Sequence, residues 1–408
     1  MKKILLASAA LIVGGAFSAQ AAEPLKLSVG GWMLQQVAYI DQDIETGNLD
    51  QQSYGQVNFA ASTKLDNGLT IGVDVHTYAT QGSDSRNATG ARNAGQGNSN
   101  VRRAWITLGS AYGQLLLGQR EDYGAIVHNK APDVGWGLAD GDWQDYFSFP
   151  TNHNLYLLTD NSRYSVRADR ITLITPTWEG FNAGFTYTPD VALKRTGGTS
   201  IYPGGIDGDA IASGDILSVA NRGSLAGDQY LVGVSYRNQL GQVGVRGDLA
   251  YSAYDIGNLR TYQAGLQIAY AGFTLGGSYF YRDVGSSDTV RINTPASGGN
   301  PASVAYVPAK GVLHAGHSYD VAVSYQAKDF GVSFGYFHDQ SKGYDIAANN
   351  PRNASSTSDV FALSAAYTMG PGVQWKNSLY YADFDNTGSG VANKNDGILF
   401  VSGLFVAF

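Results

Sequence analysis

Cysteine is absent from the 408 residues, and methionine occurs only three times. A chain without cysteine has no disulfide staples, so an exported form must draw its stability from elsewhere. No basic excess is present either. Lys and Arg total 27 against 34 Asp and Glu, which excludes a nucleic-acid binder working by bulk charge. Beyond the first residues no apolar run is long enough for a transmembrane helix, and nothing reads as a linker between soluble domains. Catalytic signatures are missing too: no G-x-S-x-G elbow, no H-E-x-x-H and no phosphate loop. The six His are dispersed, and the nearest pair, His314 and His317, lies in a loop. A metal site needs three or four convergent ligands, so no metal and no cofactor are expected. Asp140, Asp142 and Asp145 have oxygen-ligand character but not the regular Gly and ligand spacing of a calcium loop.

What is present begins with an export signal. Lys2 and Lys3 precede the apolar run Ile4 to Phe17, and Ala19-Gln20-Ala21 is an A-x-A cleavage site. The run is too short for an anchor, so residues 1–21 read as a cleaved signal peptide and 22–408 as the mature domain. Without Lys2 and Lys3 the balance is 25 basic to 34 acidic residues. The rest is rich in Gly (52) and Tyr (26) and dominated by period two. Tyr230, Val232, Val234 and Tyr236 alternate with Gln229, Gly233, Ser235 and Arg237. After Leu240-Gly241-Gln242, Val243, Val245, Leu249 and Tyr251 alternate with Gly244, Arg246, Asp248 and Ser252. That is a hairpin with one apolar and one polar face. A membrane barrel turns the first to lipid and the second to water, and its closed hydrogen bonding supplies the missing stability.

Sixteen such strands are expected, at 25–40, 52–65, 69–79, 100–109, 113–120, 163–175, 181–189, 227–239, 243–254, 260–270, 273–283, 317–327, 330–339, 358–368, 373–384 and 396–408. Short turns such as Asp66-Asn67-Gly68 and Gly370-Pro371-Gly372 alternate with long loops at 41–51, 80–99, 121–162, 190–226, 284–316, 340–357 and 385–395. Residues 255–259 are the one short member of the long set. Outer-membrane barrels sort their connections this way, long outside and short in the periplasm. The Gly-, Asn- and Ser-rich loops read as partly disordered. Tyr251, Tyr270, Tyr279, Tyr281, Tyr325, Tyr336, Tyr367, Tyr380 and Tyr381 stand near strand ends, where aromatic girdles meet headgroups. The last strand closes on Phe408, similar to the terminal aromatic signature of outer-membrane barrels.

Three stretches carry a family resemblance: Gln56-Val57-Asn58-Phe59 with Leu65 to Leu69, Arg102 to Leu108 with Gly113 to Gly118, and Asp169 to Pro176 with Gly180-Phe181. In order and spacing the chain resembles the general trimeric porins of Gram-negative outer membranes. The resemblance implies an all-β, transmembrane antiparallel barrel of about 16 strands, assembled as homotrimers in outer-membrane lipid. It implies a third extracellular loop, here 121–162, folded into the lumen. It implies acidic residues on that loop (Asp133, Asp140, Asp142, Asp145) facing basic wall residues (Arg102, Arg170), with passive passage of small hydrophilic solutes and ions. Gln56 and Gln119 stand where the family usually has Arg. Strict alternation turns Arg103 away from the lumen and gives Arg120 the opposite face from position 119. The wall thus reads as less basic than is typical, and weak cation preference follows.

Three alternatives remain at this point. Trp136, Trp143 and Tyr146, with Phe147, could stack sugars, as in carbohydrate-selective porins. A plugged structural barrel would not conduct. A barrel enzyme would need a Ser or Asp paired with a His near the extracellular strand ends, and the sequence offers no convincing pair.

Overall fold

The alternating strands and short turns form a sheet that closes on itself, which leaves no unpaired edge. The computed structural model describes residues 25–44, 47–79, 82–86, 92–94, 101–150, 159, 169–189, 228–255, 258–285, 289–294, 303–308, 315–345, 350–386 and 394–408. Residues 1–24, which include the expected signal peptide, and all of 190–226 lie outside them. The strands are β1 (Lys26–Gln42), β2 (Leu49–Lys64), β3 (Thr70–Tyr78), β4 (Gly82–Arg86), β5 (Arg92–Ala94), β6 (Val101–Ser110), β7 (Gly113–Gln119), β8 (Asp169–Ile174), β9 (Phe181–Thr188), β10 (Gln229–Leu240), β11 (Val243–Tyr254) and β12 (Arg260–Tyr270). They continue as β13 (Phe273–Asp283), β14 (Thr289–Thr294), β15 (Ser303–Pro308), β16 (Ala315–Gln326), β17 (Phe330–Asp345), β18 (Asn350–Gly370), β19 (Val373–Asn386) and β20 (Lys394–Ala407). Sixteen of them form one closed antiparallel barrel. The pairs β4–β5 and β14–β15 are separate hairpins within the long connections 80–99 and 284–316, where the sequence suggested disorder.

The seam joins β1 to β20, from Trp32 opposite Ala407 to Gln42 opposite Gly397. Residue 408 extends it: the Phe408 N–H donates to the Gly31 carbonyl (3.0 Å), and the Gly31 N–H donates to the Phe408 carbonyl (2.8 Å). A Cβ on Gly31 would sit 2.4 Å from the Gln56 carbonyl of β2 and 2.9 Å from the Phe408 ring. Glycine at 31 is therefore required by the close approach of β2 on one side and of residue 408 on the other.

The outer face carries exposed Val232, Leu249, Leu266, Leu275, Val323 and Leu363 at mid-strand. Tyr262, Tyr279, Tyr281 and Tyr381 flank them at the long-loop end. Tyr270, Phe273, Tyr325, Phe330 and Tyr367 flank them at the turn end. Tyr380 is a correction to the expected girdle: it is fully buried on the inner face, one position out of phase with Tyr381. A second correction concerns β6. Its register with β3 shifts between His76 and Thr77, which pair with Arg103 and Val101. This bulge lets consecutive Arg102 and Arg103 both serve the inner face, because an extra residue cancels the alternation.

Candidate functional site

Residues 120–150 follow β7, and their backbone N–H groups donate to side chains of β9, β11, β16, β17 and β19. They begin with a short helix, α1 (Tyr123–Val127), capped by Asp122, whose carboxylate accepts from the Ala125 N–H (3.0 Å). The same carboxylate accepts from Gln229 Nε2 (3.0 Å), and the Arg170 guanidinium lies 3.9 Å away. The Tyr123 N–H donates to Thr186 Oγ1 (3.0 Å), and its hydroxyl donates to the Asn182 carbonyl (3.1 Å). Its ring lies against Gly184, where an added Cβ would collide with it, and beside Gly233, where a Cβ would press on it at 3.0 Å. Burial pushes the Tyr123 phenol above its ordinary pKa, so it remains a neutral donor.

Further along, wall carboxylates take up loop N–H groups. Asp248 accepts from the Asn129 N–H (2.7 Å), from Asn129 Nδ2 (2.9 Å) and from Gln263 Nε2 (3.0 Å), and it contacts His128 Nδ1 at 3.0 Å. Asp320 accepts from the Ala131 N–H (2.8 Å), Thr159 Oγ1 and Ser278 Oγ (both 2.7 Å). A carboxylate is the efficient partner for stranded backbone donors, because hydrogen bonds to charged groups contribute about 1.5–3 kcal/mol each.

The sequence-derived candidates divide by environment. Asp133 is an organiser of the segment itself: it accepts from the N–H groups of Gly135 (2.8 Å), Gly137 (3.0 Å) and Leu138 (2.9 Å), and from Ser333 Oγ (2.9 Å). Asp140 is exposed and pairs with Lys130 Nζ at 2.6 Å. Asp142, also exposed, opens a 3-10 turn (Asp142–Asp145) that ends in half-buried Asp145. Arg170 is only 3% exposed and lies beside Asp122, so it is a buried support and not a free wall charge. Arg102 does line the wall: its guanidinium donates to Gln56 Oε1 (2.9 Å) and lies 5.8 Å from the Tyr54 and Tyr78 ring centroids. Gln56, in turn, contacts His76 Nδ1 (3.1 Å).

Beside this group stand two basic residues that alternation had turned away. Arg103 pairs with Glu121. Arg120 stacks over inner-face Trp105 at 4.6 Å, while Gln119, opposite Ala104, holds the outward position. Burial pulls the Arg120 guanidinium down, opposed by Glu121 and Asp74. Sequence reasoning missed both residues because neither the bulge nor the true phase of β7 shows in a single chain.

The aromatic candidates are corrected as well. Trp143 is 1% exposed, packs on Phe337 and Phe384 and donates to the Leu138 carbonyl (3.0 Å). Tyr146 donates to Gln36 Oε1 (2.9 Å), and Trp136 Nε1 donates to the Lys376 carbonyl (3.1 Å). With Leu138 and Phe147 they form a core against Ile40, Phe337, Val360, Phe384 and Leu399. Rings buried this way seat the segment; Trp143 and Tyr146 offer no face to a sugar.

On the outer face, His338 Nδ1 and Asp359 Oδ1 are 2.8 Å apart at the long-loop end, with the Tyr336 hydroxyl 3.4 Å from the same nitrogen. No convincing pair was legible in the sequence here, since these residues meet only through the β17–β18 register.

Between residues 130–142 and the wall of β1, β19 and β20 lies a cavity of about 310 Å³. Trp32, Trp136, Phe405, Lys376, Asp140 and Asp142 are among its lining residues.

Residues 7–389 match the family model described as Gram-negative porin. An uncharacterised protein of Rickettsia prowazekii is 25% identical, over 68% of this chain and 77% of its own length. Among solved structures, the trimer form of OmpT, an outer membrane protein of Vibrio cholerae, superposes with a TM-score of 0.55 at 10% identity, covering 94% of this chain and 99% of that one. An anion-selective porin from Comamonas acidovorans gives a TM-score of 0.52 at 16% identity, covering 94% of this chain and 100% of that one.

Proposed function

This chain belongs to the Gram-negative porin family, and from that premise we propose a passive diffusion channel for small hydrophilic solutes and ions. Its place is the outer membrane. Export through a signal cleaved after Ala21 is part of the proposal. The observation that carries it is the seating of residues 122–147 on inner-face Asp248, Asp320, Ser333 and Ser378. A segment held there narrows a barrel without sealing it, and on this reading it is the constriction of a water-filled pore.

Selectivity then follows from charge across the gap. Residues 120–145 carry six carboxylates and two cations. Arg102, Arg103 and Lys376 stand on the wall, with Asp74 beside Arg120. Inward Arg103 and Arg120 remove much of the reason to expect a deficit of positive charge. The balance is close to neutral with a slight acidic excess, so the proposal is a weak cation preference. A narrow passage lined by both signs selects by charge and size, and low-dielectric walls focus the field. The proposal carries no chemical reaction.

A homotrimer is proposed with its contact on the outer face of β1 and β2. What favours a subunit contact is the outward Gln35, which accepts from Ser53 Oγ (2.5 Å) and donates to the Gln52 carbonyl (3.1 Å). Such polar groups suit a protein contact better than hydrocarbon.

Reconstitution in a planar bilayer tests the channel. Discrete conductance steps with a small cation-directed reversal potential in a salt gradient are expected. A pure, folded, inserted protein without conductance would leave the structural barrel as the surviving reading.

A further inference from the structure

We propose that Arg237 and Arg246, at the short-turn end of the inner wall, form a binding subsite for divalent oxyanions of the phosphate class, taken as inorganic phosphate or as a small phosphate monoester. The inference rests on the channel reading for access. It goes beyond that reading by naming a solute class and a seat apart from the proposed constriction. The two arginines stand directly opposite each other in the β10–β11 register. Arg246 is two places from Asp248 on β11 and so shares its inward face. Arg237 faces the same way across the ladder, and both residues are exposed. Like charges directly opposite one another destabilise a strand pair. A guanidinium cannot relieve that repulsion by losing its proton, because it stays charged at any ordinary pH.

The protein does not neutralise this pair. Arg103, Arg120, Arg170 and Lys130 each have a carboxylate beside them. The side chains of Arg237 and Arg246 form no hydrogen bond or ion pair among the described residues. Asp248, which shares their face, is occupied by His128, Asn129 and Gln263. The turn ahead of β9 approaches Arg237, whose N–H donates to the Gly180 carbonyl (2.8 Å), yet Glu179 in that turn makes no ion pair with it. The two arginines border a cavity of about 500 Å³, within the range of ligand pockets. Gly244 and Ala269, cross-strand partners on the inner face, keep it hollow by their lack of bulk. Gln267 and Thr274 also line it. Gln267 Nε2 donates to the Lys130 carbonyl (2.7 Å), which ties one edge of the hollow to the seated segment. Two guanidinium forks match phosphate oxygens bidentately, and low-dielectric walls focus the field of an uncompensated pair. A dianion balances both charges, a monocarboxylate balances one, and a cation is repelled by both. The hollow is larger than a bare phosphate, which leaves room for the body of a monoester.

The test uses the full mature protein, folded in detergent at low salt, with binding read by titration calorimetry. Inorganic phosphate, glycerol 3-phosphate, acetate and glycerol are the probes. Both phosphates are expected to bind saturably, acetate at least about fivefold more weakly, and glycerol not at all. Tighter binding of glycerol 3-phosphate would assign the rest of the hollow to the ester body, and equal binding would assign the seat to the phosphate group alone. Arg237→Gln and Arg246→Gln should each weaken phosphate binding about tenfold, and Arg246→Lys, which keeps the charge but loses the fork, about threefold. Without phosphate, neither Gln variant should unfold at a lower temperature than wild type, because each removes a like-charge contact. Equal affinity for acetate and phosphate, wild-type affinity in the Arg237→Gln, Arg246→Gln double variant, or loss of binding in Arg102→Gln alone would overturn the assignment. The last outcome would place the anion beside Gln56 instead. The probe comparison on the wild-type chain decides the matter even where a variant does not assemble. A protein that binds phosphate but passes no KCl current in a planar bilayer would sink the channel and keep the subsite. A conducting protein indifferent to phosphate would sink the subsite alone.

Discussion

Arg102 and Arg170 belong to one barrel wall but to different dielectric surroundings. Arg102 lies among Tyr54, Tyr78 and Gln56 on the wall surface, whereas Arg170 is buried beside Asp122. Charge in contact with pore water acts on passing ions; charge sealed against a counterion acts mainly on folding. Arg102→Gln should therefore raise cation preference and Asp142→Asn should lower it. One unit charge at about 4 Å in water is worth about 1 kcal/mol, roughly fivefold in relative ion occupancy at most. Arg170→Gln should leave reversal potentials near wild type but lower the yield of assembled barrel, since it leaves Asp122 without its cation. Both selectivity shifts should shrink as salt rises, because screening operates over about 8 Å at physiological ionic strength. Unchanged reversal potentials in Arg102→Gln, in Asp142→Asn and in a combined Asp140, Asp142 and Asp145 amide variant would show that this segment does not set selectivity.

Elements were more legible than site residues, and the reason is periodicity. Strands β11, β12 and β13 fall where alternation placed them, because lipid on one side and a polar interior on the other write period two directly into the chain. The seat of residues 121–150 had a signal too. In Val360-Phe361-Ala362-Leu363 and Leu399-Phe400-Val401 both faces are apolar, the mark of strands covered on both sides. Here lipid covers one side and Trp143, Leu138 and Phe147 the other. Asp133 could not be read this way: a carboxylate that gathers three backbone N–H groups looks, in sequence, like one that faces water. Asp133→Ala should cost several kcal/mol of local order, given about 1.5–3 kcal/mol for each hydrogen bond to a charged group. The barrel itself should persist, because its ladder does not involve residue 133. Single-channel traces should become noisier, and liposome swelling should admit larger solutes. Gly184→Val attacks the other anchor, since a side chain there collides with the Tyr123 ring. It should widen the same size cut-off, while Gly370→Ala, at the turn end of β18 with open space around it, should not. Identical swelling profiles for Asp133→Ala, Gly184→Val and wild type would mean that the segment is not the constriction.

At the scale of the whole molecule, the outer surface differs around its circumference. Strands β10 to β13 present Val232, Leu249, Leu266 and Leu275 outward in an unbroken apolar band. On β1 and β2 the outward row instead includes Gln35 and Ser53, cross-strand partners joined by a hydrogen bond. Hydrocarbon provides no partners for polar groups, and a subunit surface tolerates small and polar residues. The two surfaces answer differently to one bulky side chain. Tryptophan is compatible with a lipid-facing site, especially near the headgroups, but it overpacks a protein contact at a cost of about 1–3 kcal/mol. In a closed threefold assembly each interface repeats three times, so the penalty is felt three times. Ser53→Trp should therefore shift the protein from three chains toward monomers in mild detergent, whereas Leu249→Trp on β11 should leave the assembly intact. Native mass spectrometry and chemical cross-linking read the difference directly, with circular dichroism confirming that both variants keep their strands. If Ser53→Trp and Leu249→Trp give the same chain count as wild type, the β1–β2 face looks onto lipid and the contact lies elsewhere. If the wild-type protein is itself monomeric and conducts, the homotrimer fails and each barrel is a complete channel on its own.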